Sequence, residues 1–183
     1  MPPLPKPADS ASQVIQKLIE RLVPGGESIY LDVEPVVGAL ENECYGNVDI
    51  AIKNAGGTIQ YGWKLWETLP NVMAEAEFHA VWVDKNGEMH EVSPEPLPGM
   101  SRILFLPDPN RTYSGHQIDN VRIPLQEDNL IEEFIANSEQ HFEVMNRGEL
   151  VGIHGEIPMT GEIRNSLLNQ QISLMKVLRK YFS

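Results

Sequence analysis

The run Met73-Ala74-Glu75-Ala76-Glu77-Phe78-His79-Ala80-Val81-Trp82-Val83 turns at Asp84-Lys85-Asn86-Gly87 and returns as Glu88-Met89-His90-Glu91-Val92. Side chains alternate across a strand, so Met73, Glu75, Glu77, His79 and Val81 share one face and Ala74, Ala76, Phe78, Ala80 and Trp82 the other. One face is expected to be core, the other a polar site or solvent. The turn decides where Glu91 points. A two-residue Asn86-Gly87 loop pairs Lys85 with Glu88 and sets Glu91 opposite Trp82, away from His79. A three-residue loop with Gly87 in the left-handed region pairs Asp84 with Glu88 and Val81 with Glu91, which makes Glu91 a diagonal neighbour of His79. Asp-Lys-Asn-Gly suits a type I turn closed by a left-handed glycine, so the second register is predicted.

Working upstream, Thr58 to Glu67 reads as the preceding strand, with Ile59, Tyr61, Trp63 and Leu65 on one face and Leu69-Pro70-Asn71 as the reversal. Before it, Cys44 to Ala55 carries Val48, Ile50, Ala51 and Ile52 and ends at Asn54-Ala55-Gly56-Gly57, a helix with a glycine stop. Cys44 falls in its first turn, where free backbone N–H groups and the helix dipole favour a thiolate. The fold class read from this arrangement is α+β: a central helix carrying Cys44, packed on an antiparallel sheet, with peripheral N- and C-terminal helices.

The remaining elements extend that core. Pro2, Pro3, Pro5 and Pro7 predict a flexible segment over 1–9, and Ser10 or Ser12 opens a helix through Val14, Ile15, Leu18 and Leu22 that stops at Pro24-Gly25-Gly26. Ser28 to Val33 and Arg102 to Leu106 read as short strands, and Pro107 to Pro124 as a long irregular excursion. Asn129 with Glu132 resembles a capping box opening a helix to about Met145, 148–161 is a linker, and a last helix runs from Thr160 or Gly161 to Tyr181. The expected organisation is one domain over 10–183, with a core at 28–106 and a C-terminal helical part at 128–183.

Charge narrows the functional classes. Fourteen lysines and arginines against 26 aspartates and glutamates give a net charge of −12, and this argues against nucleic acid and anionic membrane as partners. The single cysteine forms no internal disulfide, and no basic-then-apolar leader or long apolar span follows Met1, so a reducing, cytoplasmic setting is expected. No cofactor is implied, and a homo-oligomer is compatible with the sequence.

The candidate catalytic residues are Cys44 as nucleophile, His79 as its base and Glu91 as the carboxylate that orients the imidazole. The competing structural reading makes Cys44 a small buried hydrophobe. Glu75, Glu77, His79 and neighbouring His90 supply oxygen and nitrogen atoms but match no metal-binding spacing, so no metal is assigned. Asn47 is expected to hydrogen-bond within its helix, and His116, His141 and His154 to face solvent.

Cys44-Tyr45-Gly46-Asn47-Val48, Tyr61-Gly62-Trp63, Phe78-His79-Ala80-Val81-Trp82, Asp84-Lys85-Asn86-Gly87 and Glu91-Val92-Ser93-Pro94 together resemble the core of the papain-like and transglutaminase-like thiol superfamily. They are also similar to a group of bacterial proteins with Cys-aromatic-x-Asn followed by a His-Ala hairpin. The resemblance covers roughly Glu43 to Pro94 and implies the order nucleophile helix, strand, histidine strand, acid strand. It departs at Glu91, where the superfamily usually has Asp or Asn. For the oxyanion or substrate contacts it leaves Asn42, Gln60 and Trp63, with the Cys44 backbone N–H, as candidates. The implied activity is a thiol-dependent hydrolase or acyl transferase acting on a peptide or small amide substrate. The alternative is a non-enzymatic acidic binding or adaptor domain in which Cys44 is structural.

Overall fold

The computed structural model describes residues 4–96, 100–151, 153 and 157–182. The strands are β1 (Lys6–Pro7), β2 (Ile29–Asp32), β3 (Thr58–Leu69), β4 (Met73–Val83), β5 (Met89–His90), β6 (Arg102–Pro107) and β7 (Val121–Pro124). The helices are α1 (Gln13–Leu22), α2 (Cys44–Ala55), α3 (Asn129–Met145) and α4 (Gly161–Tyr181). The fold is α+β with an antiparallel sheet in the order β2-β6-β3-β4-β5, β1 adding to β3 and β7 to β4.

The longest pairing, β3 with β4, runs from Thr58 opposite Val83 to Leu69 opposite Met73. It sets Tyr61, Trp63 and Leu65 on the face of Ala80, Phe78 and Ala76. The central neighbour of β3 on its other side is β6, whose Ile103, Leu104, Phe105 and Leu106 are all buried. Gly62 makes that packing feasible: a Cβ there would lie 2.2 Å from the Leu106 carbonyl oxygen and 2.6 Å from the Phe105 ring.

The second face of β4 carries a polar site at Glu75, Glu77 and His79, one of the two outcomes expected, but it is covered rather than open to solvent. Ala74, Ala76 and Phe78 pack with Ile15, Leu18 and Ile19 of α1, and Ala80 packs with Val48 and Ala51 of α2. On the opposite face Val81 joins Leu31, Ile103 and Phe105, while Met73 joins Ile131, Phe134 and Val177. Between these apolar groups Glu75 and His79 are buried at 9% and 6% exposure, each against polar partners. A period of two fixes which residues share a face; it does not say whether another layer covers that face.

The proline-rich start also differs from expectation. Lys6 and Pro7 pair with Glu67 and Trp66, the Ala8 N–H donates to the Leu65 carbonyl, and the Tyr30 hydroxyl donates to the Ala8 carbonyl. Extended φ angles suit proline to an edge strand, so the composition that suggested looseness also permits this short pairing. The cap of α3 is Asp128 rather than Asn129: the Asp128 carboxylate accepts from the Leu130 N–H and also receives Lys180 and Tyr181 of α4. The 107–124 excursion ends in β7, which pairs with Met73 to Ala76 of β4.

This topology leaves a gap at the outer edge of β4. β7 takes Met73 to Ala76 and β5 takes Trp82 and Val83, so no strand among the described residues pairs with 77–81 on that side. The N-terminus of α2 is seated there, and Cys44, Tyr45, Glu77 and Phe78 line one common cleft.

Candidate active site

The turn that controls Glu91 adopts the three-residue form. Gly87 has φ of 87°, the Asp84 N–H donates to the Glu88 carbonyl, and the Asp84 carboxylate accepts from the Asn86 and Glu88 N–H groups. β5 then pairs Val83 with Met89 and Trp82 with His90. One step further the chain leaves β4, so the expected pair of Val81 with Glu91 is not made and Glu91 instead forms a parallel bridge with Val33. Its side chain is still on the face of His79: Glu91 Oε2 lies 2.5 Å from His79 Nε2, and Oε1 accepts from the Ser93 N–H at 2.7 Å. His90 is turned the other way, against the Trp82 ring and Asp84.

Cys44 lines the same small cavity as this imidazole and contributes to the rise of its pKa. The histidine therefore stands between a thiol from a helix N-terminus and a carboxylate from a returning hairpin. Burial by itself would discharge His79, but Glu91 and then Cys44 outweigh it and push its pKa up to about 10. Glu91 shows the reciprocal effect: burial opposes its ionisation, yet His79 and the Ser93 N–H hold its carboxyl below the ordinary value. A buried carboxylate with 2% exposure is sustained only by such partners.

Asn47 anchors the start of α2 by a route not legible in the sequence. Instead of bonding within its helix, its buried amide accepts from the Leu40 N–H and donates to the Leu40 carbonyl, each at 2.8 Å. This clamp ties the connector to the second turn of α2, and two residues later Asn42 takes a positive φ of 61° immediately before the helix. An asparagine whose amide satisfies both backbone groups of one residue is invisible to pattern, because the partner is a loop.

Cys44 is half-buried and lies where two cavities meet. The larger is a cleft of about 460 Å³ walled by Tyr45, Phe78, Tyr113, Ile118 and Asn120. Tyr45 and Tyr113 stack there with ring centroids 4.0 Å apart. Burial, followed by the neighbouring Cys44, raises the Tyr45 phenol pKa, so it remains a protonated donor at neutral pH. The smaller is a chamber of about 80 Å³ whose lining includes His79, Glu91, Ser93, Lys64 and Glu95. Lys64 Nζ lies 3.3 Å from both Glu77 and Glu95. Burial would lower its pKa, but the two carboxylates reverse this and hold the amine charged.

Of the six residues singled out by sequence, the structure gathers Cys44, His79, Glu91 and Asn42 around these cavities. Gln60 and Trp63 are not brought there. The Gln60 amide donates to the Tyr61 carbonyl, and Trp63 is a core residue at 1% exposure whose indole N–H donates to Asp108. Trp63 shares the Phe78 face of the sheet, opposite to His79, so strand phase alone excludes it from the imidazole. Lys64, Glu77 and Glu95 were not recognised as a unit; the signal was a lone lysine in the apolar strand Tyr61 to Leu65, opposite Glu77.

Glu75 is engaged by Asn120 and Arg122 rather than joined with His79. The described residues do bring Asp84, Glu88 and His90 together at the hairpin, but Asp84 is already committed to the turn. His116 is exposed, His141 bonds the Ser166 hydroxyl, and His154 lies outside the described residues. No helix among the described residues is long and apolar enough to cross a membrane. Comparison of the chain with family models, curated proteins and solved structures finds no match.

Proposed function

We propose that the chain is a thiol-dependent hydrolase or acyl transferase acting on amide or peptide-like bonds, with a core of papain-like or transglutaminase-like type. The observation that carries this reading is the placement of one imidazole between the Cys44 thiol and the Glu91 carboxylate, at the meeting point of a ligand-sized cleft and a polar chamber. The order α2, β3, β4, β5 supplies nucleophile helix, strand, histidine strand and acid hairpin in sequence. The 460 Å³ cleft falls within the range of small-ligand sites.

In this reading Glu91 occupies Nε2 and fixes the ring, leaving Nδ1 for the thiol. Cys44 as thiolate attacks the carbonyl carbon, and His79 as imidazolium delivers a proton to the departing nitrogen. The resulting thioester is then taken by water or by an amine. Glu91 never receives the proton; it keeps His79 oriented and charged. The extra methylene of glutamate, relative to aspartate, suits a carboxylate that reaches back to His79 from the chain just past β5.

The test is alkylation of Cys44 by iodoacetamide as a function of pH, in the wild type and in His79→Ala. The reading expects fast alkylation at neutral pH in the wild type and a rate reduced by about 10-fold or more in the variant. Identical rates and pH profiles in the two proteins would sink the enzyme claim, since a histidine that does not influence the thiol does not activate it.

A further inference from the structure

The two cavities divide the scissile bond. A thiol enzyme needs the acyl carbon over its sulfur and the departing nitrogen over its imidazole, because the imidazolium must protonate that nitrogen as the bond breaks. Cys44 faces both cavities, so the acyl carbon sits at their junction. His79, among the described residues, lines only the chamber, so the departing group lies there. That space is about 80 Å³, against about 460 Å³ for the cleft, and accommodates a few water-sized molecules. The smaller space favours a small departing group such as –NH2 over the next residue of a peptide.

The lining suits the same occupant. Glu95 gives Oε2 to Lys64, while Oε1 is buried, on a side chain only 6% exposed, with no hydrogen-bond partner among the described residues. The carboxylates of Glu77, Glu91 and Glu95 line the space, and ammonia and water are small donors. With Lys64 and the His79 imidazolium set among these carboxylates, the space is polar throughout and suits a small hydrogen-bonding leaving group such as ammonia.

We infer that the substrates are primary carboxamides, hydrolysed to carboxylates with release of ammonia: the acyl part occupies the Tyr45 and Tyr113 cleft, and the amide nitrogen the His79 chamber. This rests on the thiol reading above and selects its leaving group. The Cys44 sulfur forms a bond to the amide carbon, the carbonyl electron pair moves to oxygen, and on collapse the C–N bond breaks while His79 gives its proton to nitrogen. Ammonia leaves. Water enters the vacated chamber, passes a proton to His79 and attacks the thioester, and the C–S bond breaks to restore the thiolate and imidazolium. The acid product ionises and ammonia takes up that proton, so R–CO–NH2 plus H2O gives R–COO⁻ plus NH4⁺.

The experiment offers the full-length chain peptides bearing glutamine and asparagine, small aliphatic and aromatic primary amides, and the same compounds as N-methyl and N-benzyl amides. Ammonia is read by a coupled assay and products by mass spectrometry. Ammonia release from primary amides is expected, with backbone peptide bonds and N-benzyl amides cleaved at least about 100-fold less efficiently in kcat/KM. Glu95→Ala enlarges the chamber and should raise the ratio of N-methyl to primary amide turnover by about 10-fold, a ratio insensitive to loss of folded protein.

Comparable cleavage of N-benzyl amides or of the backbone overturns the inference and leaves the thiol reading intact. So does an unchanged Glu95→Ala ratio, or the absence of ammonia from every primary amide while Cys44 alkylation stays dependent on His79. Ammonia release that persists in Cys44→Ser removes the thiol reading itself.

Discussion

Glu91→Gln keeps the shape of the carboxylate and removes its charge, which isolates the ion pair at the centre of the site. The variant retains an oxygen to accept from the Ser93 N–H but leaves a 6%-exposed imidazole without its counter-charge. Breaking a buried pair from one side costs on the order of 3 kcal/mol. For a chain of this size that lowers Tm by roughly 6–12 °C.

The pH profile is the sharper readout. In the wild type the His79 pKa is raised from 6.5 to about 10, so its stabilisation is fully present below pH 6.5 and is lost as pH rises through 10. The Glu91 pKa is lowered from 4.5, so its contribution is present above pH 4.5 and is lost as pH falls below that value. The pair is therefore strongest between 4.5 and 6.5. From pH 6.5 to pH 9 the wild type should lose about 1.4 kcal/mol per pH unit, or about 3 kcal/mol across the interval. In Glu91→Gln the dominant influence left on His79 is burial, which disfavours its charge, so that slope should vanish or reverse below pH 6.5. Urea unfolding at pH 5.5, 7 and 9 measures both profiles. Parallel profiles would refute the reasoning, because they would mean that His79 is not held charged by Glu91.

Other perturbations read other parts of the structure. Gly62→Ala places a methyl 2.2 Å from a β6 carbonyl and should cost more than about 3 kcal/mol in urea unfolding, with loss of Cys44 reactivity as β4 shifts behind it. Lys64→Met leaves Glu77 and Glu95 facing each other without a cation and should destabilise by about 3 kcal/mol at neutral pH, with partial recovery in Lys64→Met/Glu95→Gln by differential scanning calorimetry. Asn47→Ala unties Leu40 and should cost about 2 kcal/mol, while accelerating amide exchange over 40–43 more than elsewhere.

Residue pattern alone determined the local elements and one long-range contact. The bounds of α2 follow from an apolar run stopped by glycines, and β3 and β4 follow from alternation around a short reversal, because helix and strand periodicities are properties of consecutive residues. The approach of Glu91 to His79 was legible for the same reason: a left-handed glycine fixes hairpin register, and register fixes which side chains are diagonal neighbours. Whether β4 would be covered on both faces was not legible, since the covering residues lie in α1, β2, β6, α3 and α4, far away in sequence. The Asn47 clamp on Leu40, the union of Lys64 with Glu77 and Glu95, and the exclusion of Gln60 and Trp63 from the site were likewise decided in three dimensions. So was the gap between β7 and β5, where the start of α2 brings Cys44 to His79. Each of these depends on the path of loops whose own sequence carries no periodicity, and that path is set by which buried polar groups and apolar faces it satisfies on arrival.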